Sequence, residues 1–132
     1  MNCLLSLKTM LSNDRFLIVK YMKQFILSLD EIIINYPNKE MVIKNRLHSD
    51  SLDILECIYK ANNEDNIEKK QDLQNTILTK INMLDFYLEK SYKKKYISEK
   101  QCQKKSAELI KLSKMVYQWC KCQHQSLKKC QS

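Results

Sequence analysis

The sequence predicts an all-α protein, an antiparallel up-down-up-down four-helix bundle. Three observations lead there. Glycine is absent and Pro37 is the only proline. Hairpin turns and Gly-rich phosphate loops both lean on glycine, so sheet folds and Walker or Rossmann nucleotide sites are disfavoured. Apolar residues recur in steps of three and four along four long stretches, which is the period of an amphipathic helix. The links between these stretches are short, and short links make sequential helices antiparallel neighbours. A chain of 132 residues fits one domain.

The first helix is expected over 14–36. Ile18, Met22, Phe25, Leu29, Ile32 and Tyr36 form one seam, with Val19, Ile26 and Ile33 as a second stripe beside it. Pro37 stops it. Consecutive Phe16, Leu17, Ile18 and Val19 point all round the helix, so its apolar surface exceeds one seam. Another copy of the chain, another protein, or residues 1–13 folded over it as an N-terminal extension, is expected to cover the surplus.

The second helix is expected over 39–63, burying Ile43, Leu47, Ile54, Ile58 and Ala61, with Leu55 and Tyr59 beside them and Ser51 interrupting the line. Its end in "NNEDN" suggests an asparagine in the left-handed cap position that glycine usually takes. The third helix opens on Asp65-x-x-Glu68, a capping-box pattern. It buries Ile77, Ile81, Leu84 and Leu88, flanked by Leu73 and Phe86. The fourth opens on Ser98-x-x-Gln101, a second capping box, and buries Leu109, Leu112, Val116 and Trp119, with Ile110, Tyr117 and Cys120 close by. The bundle is expected over 14–122, followed by a polar basic tail at 123–132.

The charge is uneven. The net +8 comes from 23 basic and 15 acidic residues, and only Arg15 and Arg46 are arginines. Residues 1–66 carry a net −1 and residues 67–132 a net +9. A lysine-rich codon bias explains the total but not the asymmetry. Lys90, Lys93 and Lys94 close the third helix and Lys95 lies in the turn after it, while Lys100, Lys104, Lys105, Lys111 and Lys114 lie on the fourth. Cations at a helix C-terminus complement its dipole, which accounts for Lys93–Lys95. Lys100 sits at a helix N-terminus, where the dipole disfavours it. These nine lysines are the candidate nucleic-acid-binding residues. Lysines without arginine forks suit phosphate contacts rather than base readout. The competing reading is a plain solvated face.

Other constellations are weaker. The cysteines at 3, 57, 102, 120, 122 and 130 have irregular helical spacing. "MNCLLSLKTMLSND" lacks the cleavage site of a secretory leader, and no run reaches the length of a membrane span. Reduced thiols and a cytoplasmic location are therefore expected. Cys120-x-Cys122-x-His124 lacks four converging ligands at zinc spacing, so no metal and no cofactor is expected. His48 near Asp50 and Asp53 has no shaped nucleophile loop to serve, so no catalytic residue is expected. Asp85 is placed to pair with Arg46 or a lysine in a structural role.

Several segments resemble a known family. "NYPNKEMVIKNRLHSDSLDILECIYKAN", "INMLDFYLEKSYKKKYISEKQC" and "KMVYQWCK" look like the accessory variability determinant (Avd) proteins of diversity-generating retroelements. The likeness covers about residues 14–122, and its most specific part is "LDFYLEKSYKKKYISEKQ"; the tail and the cysteine cluster fall outside the pattern. It implies a basic four-helix bundle assembling into a barrel-like homopentamer that binds RNA and DNA. It also implies association with a retroelement reverse transcriptase in mutagenic retrohoming, where cDNA copied from a template RNA diversifies a target gene. No catalytic residue is implied. Related bundles encoded by intervening sequences of bacterial 23S ribosomal RNA genes share the fold and are an alternative. A protein-interaction bundle with an acidic partner is another.

Overall fold

The computed structural model describes the backbone over residues 2–131 and side chains over residues 17–123. Among the described residues there are four α-helices, one short 3-10 turn and no strand. The helices are α1 (Asn2–Ile33), α2 (Met41–Asn63), α3 (Ile67–Lys93) and α4 (Glu99–Gln131). They form a four-helix bundle in which each helix packs against two others: α1 on α2 and α4, and α3 on α2 and α4.

The apolar seams converge on one core. Ile18, Met22, Phe25 and Leu29 of α1 meet Leu47, Ile54 and Ile58 of α2, Ile77, Leu84 and Leu88 of α3, and Leu109, Leu112 and Val116 of α4, all buried. Ile26 and Ile33 of the second α1 stripe are also buried, and Val19 is half-buried. Much of the surplus apolar surface of α1 is thus absorbed by its own bundle. Among the described residues, Leu27 of α1 and Ile34, just past its end, stay outside, 67% and 70% exposed.

The helix ends differ from expectation in several places. Helix α1 begins at Asn2 and ends at Ile33, so backbone expected to be an extension is helical. No proline or glycine interrupts it there. Tyr36 is still buried, carried by the turn beyond the helix. The cap of α3 is Asn66, one residue past the expected Asp65, its Oδ1 accepting the Lys69 N–H at 3.1 Å. No asparagine takes a left-handed cap after α2, which ends instead with Glu64 extended.

The left-handed residue is Lys95, with φ 65°, after α3. Its N–H donates to the Tyr92 carbonyl, and the Tyr96 N–H reaches back to the Ser91 carbonyl, both at 2.9 Å. This pair of bonds is a Schellman motif, which usually places glycine where Lys95 stands. The capping box of α4 forms as expected. Ser98 Oγ accepts from the Gln101 N–H at 3.1 Å, and Gln101 Oε1 accepts from the Ser98 N–H at 2.9 Å. Helix α4 then runs on through the expected tail to Gln131.

Candidate nucleic-acid interface

The turn between α1 and α2 is fastened to the turn between α3 and α4. Glu40, in the 3-10 turn Asn38–Glu40, accepts from Lys94 Nζ at 2.9 Å and from the Tyr96 hydroxyl at 2.7 Å. Tyr36 and Tyr96 rings meet with centroids 5.4 Å apart. The bond from Lys94, then that from Tyr96, holds the Glu40 carboxyl below its usual range. The same bond, followed by burial, pushes the Tyr96 hydroxyl up. The basic cluster is built around this clasp.

Its lysines are not equivalent. Lys94 is engaged by Glu40, and Lys93 pairs with Glu89 one turn back at 3.3 Å. Lys111 Nζ lies 3.9 Å from the centre of the Tyr21 ring, a cation–π contact that orders the side chain while leaving the residue exposed. Lys90, Lys95, Lys100, Lys104 and Lys114 are exposed, and their side chains make no ion pair or hydrogen bond with any described residue.

Lys105 does not belong to this surface. It is 1% exposed, and its ammonium donates to Ser28 Oγ and to Glu108 Oε2, the latter at 3.0 Å, above the Phe25 ring at 5.3 Å. The reason is angular. Lys105 lies about 100° round the helix from Lys104, on the side of Leu109 and Leu112, so its ammonium points between α1 and α4. Adjacent lysines in a run look alike in sequence while a helix sends them to different surroundings.

The outward side of α4 carries a ridge. Lys100, Lys104, Lys111 and Lys114 fall within about a quarter of the helix circumference, opposite the buried Leu109 and Val116. Exposed Lys121 continues the ridge; it lies beyond the dense part of the lysine run, and only its seven-residue spacing from Lys114 marks it in the sequence. From Lys100 to Lys121 the ridge extends about 30 Å at the helical rise of 1.5 Å per residue. Nearby carboxylates are committed elsewhere. Asp85 accepts from Ser106 Oγ at 2.6 Å rather than pairing with Arg46 or a lysine, and Glu108 holds Lys105. Such a ridge attracts polyanions, and each neutralised phosphate releases counterions.

The remaining candidates are accounted for differently. His48 Nδ1 is 3.2 Å from Asp30 of α1, not against Asp50 or Asp53, and both side chains are exposed. Asp50 is buried and pairs across to α3 with Lys80 at 3.7 Å, which Asp53 also holds at 3.3 Å. A shallow groove of about 390 Å³ between α2 and α3 is lined by Arg46, Asp50, Thr76, Lys80, Met83 and Tyr87, among others. Cys57, Cys102, Cys120 and Cys122 are free thiols. Burial pushes the first three up and makes them poor nucleophiles. The side chains of Cys3, His124 and Cys130 lie outside the described residues. Among those described, no three His, Cys, Asp or Glu are grouped to hold a metal ion, and no helix is long and apolar enough to cross a membrane.

No protein-family model, curated protein or solved structure matches the chain.

Proposed function

We propose that this protein is a non-enzymatic, nucleic-acid-binding accessory subunit of a retroelement reverse transcriptase, of the accessory variability determinant type. It engages the template RNA, and DNA in the same manner, to support cDNA synthesis in mutagenic retrohoming. The observation that carries the nucleic-acid part is the ridge of exposed, unpaired lysines on α4 joined to the end of α3. The assignment to a reverse transcriptase rests on the resemblance of "LDFYLEKSYKKKYISEKQ" to that family.

An up-down-up-down course is supported by side-chain pairs that run in opposite order along neighbouring helices. Gln74 meets Gln123 and Asp85 meets Ser106. Assembly into a homo-oligomer, five subunits by resemblance, is supported by the uncovered apolar residues Leu27, Ile34 and Met41. Several copies multiply a weak lysine patch into an avid surface. The protein works in the cytoplasm, without cofactor or metal.

Replacing Lys95, Lys100, Lys104 and Lys114 by glutamine tests the reading. RNA affinity falls, and the slope of log affinity against log salt flattens by about 0.7–0.9 per lost contact. Helix content is unchanged. The control replaces Lys20, Lys23, Lys39 and Lys44. Equal losses in both variants mean that binding follows net charge alone, and the ridge is then only a solvated face. Sedimentation giving a single 15.8 kDa species overturns the oligomer.

A further inference from the structure

We infer that this surface takes unpaired nucleobases, with Phe86 and Tyr117 as stacking platforms and the lysines beside them on the flanking phosphates. The inference rests on the nucleic-acid reading above and narrows it to single-stranded segments. Phe86 and Tyr117 are the two most exposed aromatic rings among the described residues, at 53% and 61%. Amphipathic spacing had put both beside the core, and the bundle turns both outward.

Single exposed apolar residues are ordinary on protein surfaces. The lysines around these two rings set them apart. On α3, Lys90 is four residues and Lys93 seven residues beyond Phe86, so all three share a face. On α4, Lys114 is three residues before Tyr117 and Lys121 four residues after it, one turn away on either side. Lys90, Lys114 and Lys121 pair with no described residue. Phe86 is also braced: the Tyr87 ring lies at 6.2 Å, tilted by 55°.

An aromatic ring flanked by cations is the arrangement that binds single strands. Each base has a face to stack, and its neighbouring phosphates need charge. A duplex offers phosphates but keeps its bases stacked on one another, so it gains nothing from the rings. Lysine ammoniums hold phosphates as point charges and leave the base edges unread. Binding therefore follows strandedness and stacking strength rather than sequence.

The test measures anisotropy of a labelled oligoadenylate of about a dozen nucleotides, within the range one such site covers, and of an RNA duplex of the same length. Phe86→Ala and Tyr117→Ala each weaken oligoadenylate binding roughly 5- to 100-fold and leave duplex binding and the salt slope unchanged. Phe86→Trp keeps the affinity, whereas Phe86→Leu, which retains apolar area without a π face, behaves like alanine. Both rings are outside the core, and circular dichroism verifies that the variants fold. If the alanine variants bind oligoadenylate like wild type while Lys100→Gln/Lys104→Gln loses affinity, the stacking inference falls and the basic-face reading stands. Equal loss toward heparin, a polyanion without bases, also overturns the inference. If wild type binds neither probe at low salt, the nucleic-acid reading falls and takes the inference with it.

Discussion

Replacing Lys105 by methionine separates the lysine that builds the bundle from the lysines that can serve it. The ammonium is taken out of water at a cost of several kcal/mol. Against this stand charge-assisted hydrogen bonds to Ser28 and Glu108, worth about 1.5–3 kcal/mol each, and a contact with the Phe25 ring of about 1–2 kcal/mol. These terms nearly cancel. Methionine fills most of the same volume and strands little. The Ser28 hydroxyl keeps its own acceptor, the Phe25 carbonyl at 3.1 Å, and the Glu108 side chain is 34% exposed, enough to rehydrate. Stability is therefore expected within about 1 kcal/mol of wild type, or above it.

Lys105→Ala also removes the stem and costs about 2 kcal/mol or more. Urea melts of the two variants give the comparison. A methionine variant less stable by more than about 3 kcal/mol refutes the reasoning, because the buried ammonium is then a net source of stability. Nucleic-acid affinity supplies a second readout. Lys105→Met leaves the salt slope unchanged, whereas Lys100→Gln flattens it by about 0.7–0.9.

Three further outcomes are expected. Lys95→Gly stabilises the protein by about 0.5–1 kcal/mol in a denaturant melt, since it relieves a left-handed backbone at a Schellman position; a loss of stability refutes that cap. Leu84→Ala, in the centre of the core, costs about 2–5 kcal/mol, while Phe86→Ala two residues on stays within about 0.5 kcal/mol. Glu40 has a lowered carboxyl pKa in the folded state, so its contribution is present above the ordinary value of 4.5 and is lost as pH falls through the lowered one. The stability gap between wild type and Glu40→Gln therefore narrows on acidification below that range, and a gap independent of pH rules out the clasp as its source.

The seams were legible because helix burial has a period. Ile77, Ile81, Leu84 and Leu88 are apolar at that period and all are buried. The Ser98–Gln101 box was legible because both halves of a reciprocal hydrogen bond are written locally. What sequence could not rank was side chains next to a seam. Phe86 and Ile33 are both apolar neighbours of seam residues, yet Phe86 lies outside and Ile33 inside. The difference is set by where the adjacent helix packs. Gln74, Ser91 and Asp50 were missed for the same reason. They are polar residues buried by partners on the next turn or the next helix: Gln123 for Gln74, the Tyr87 carbonyl for Ser91 and Lys80 for Asp50. The capping of α3 by Asn66 shows a local limit, since Asp65 and Asn66 are both good caps and only the backbone chooses.

The lysine count alone is ambiguous, because a biased codon supply yields many lysines on any fold. The distribution of partners is less ambiguous. The fold itself consumes Lys80 between two aspartates, Lys105 between Ser28 and Glu108, and Lys94 on Glu40. Each of these ties two helices, two turns or a buried polar group. Some of the lysines left over stand singly, as Lys20, Lys23, Lys39, Lys44 and Lys69 do on α1, the 3-10 turn, α2 and the start of α3, but the rest are grouped. Lys100, Lys104, Lys114 and Lys121 share the outward side of one helix, and Lys90 and Lys95 stand at the end of the helix before it. Lys100 in the first turn of α4 works against the helix dipole, a cost that no described contact offsets. A surface that keeps unpaired cations together despite their mutual repulsion gains from a polyanion. The selective loss expected on replacing Lys95, Lys100, Lys104 and Lys114 distinguishes that role from codon supply.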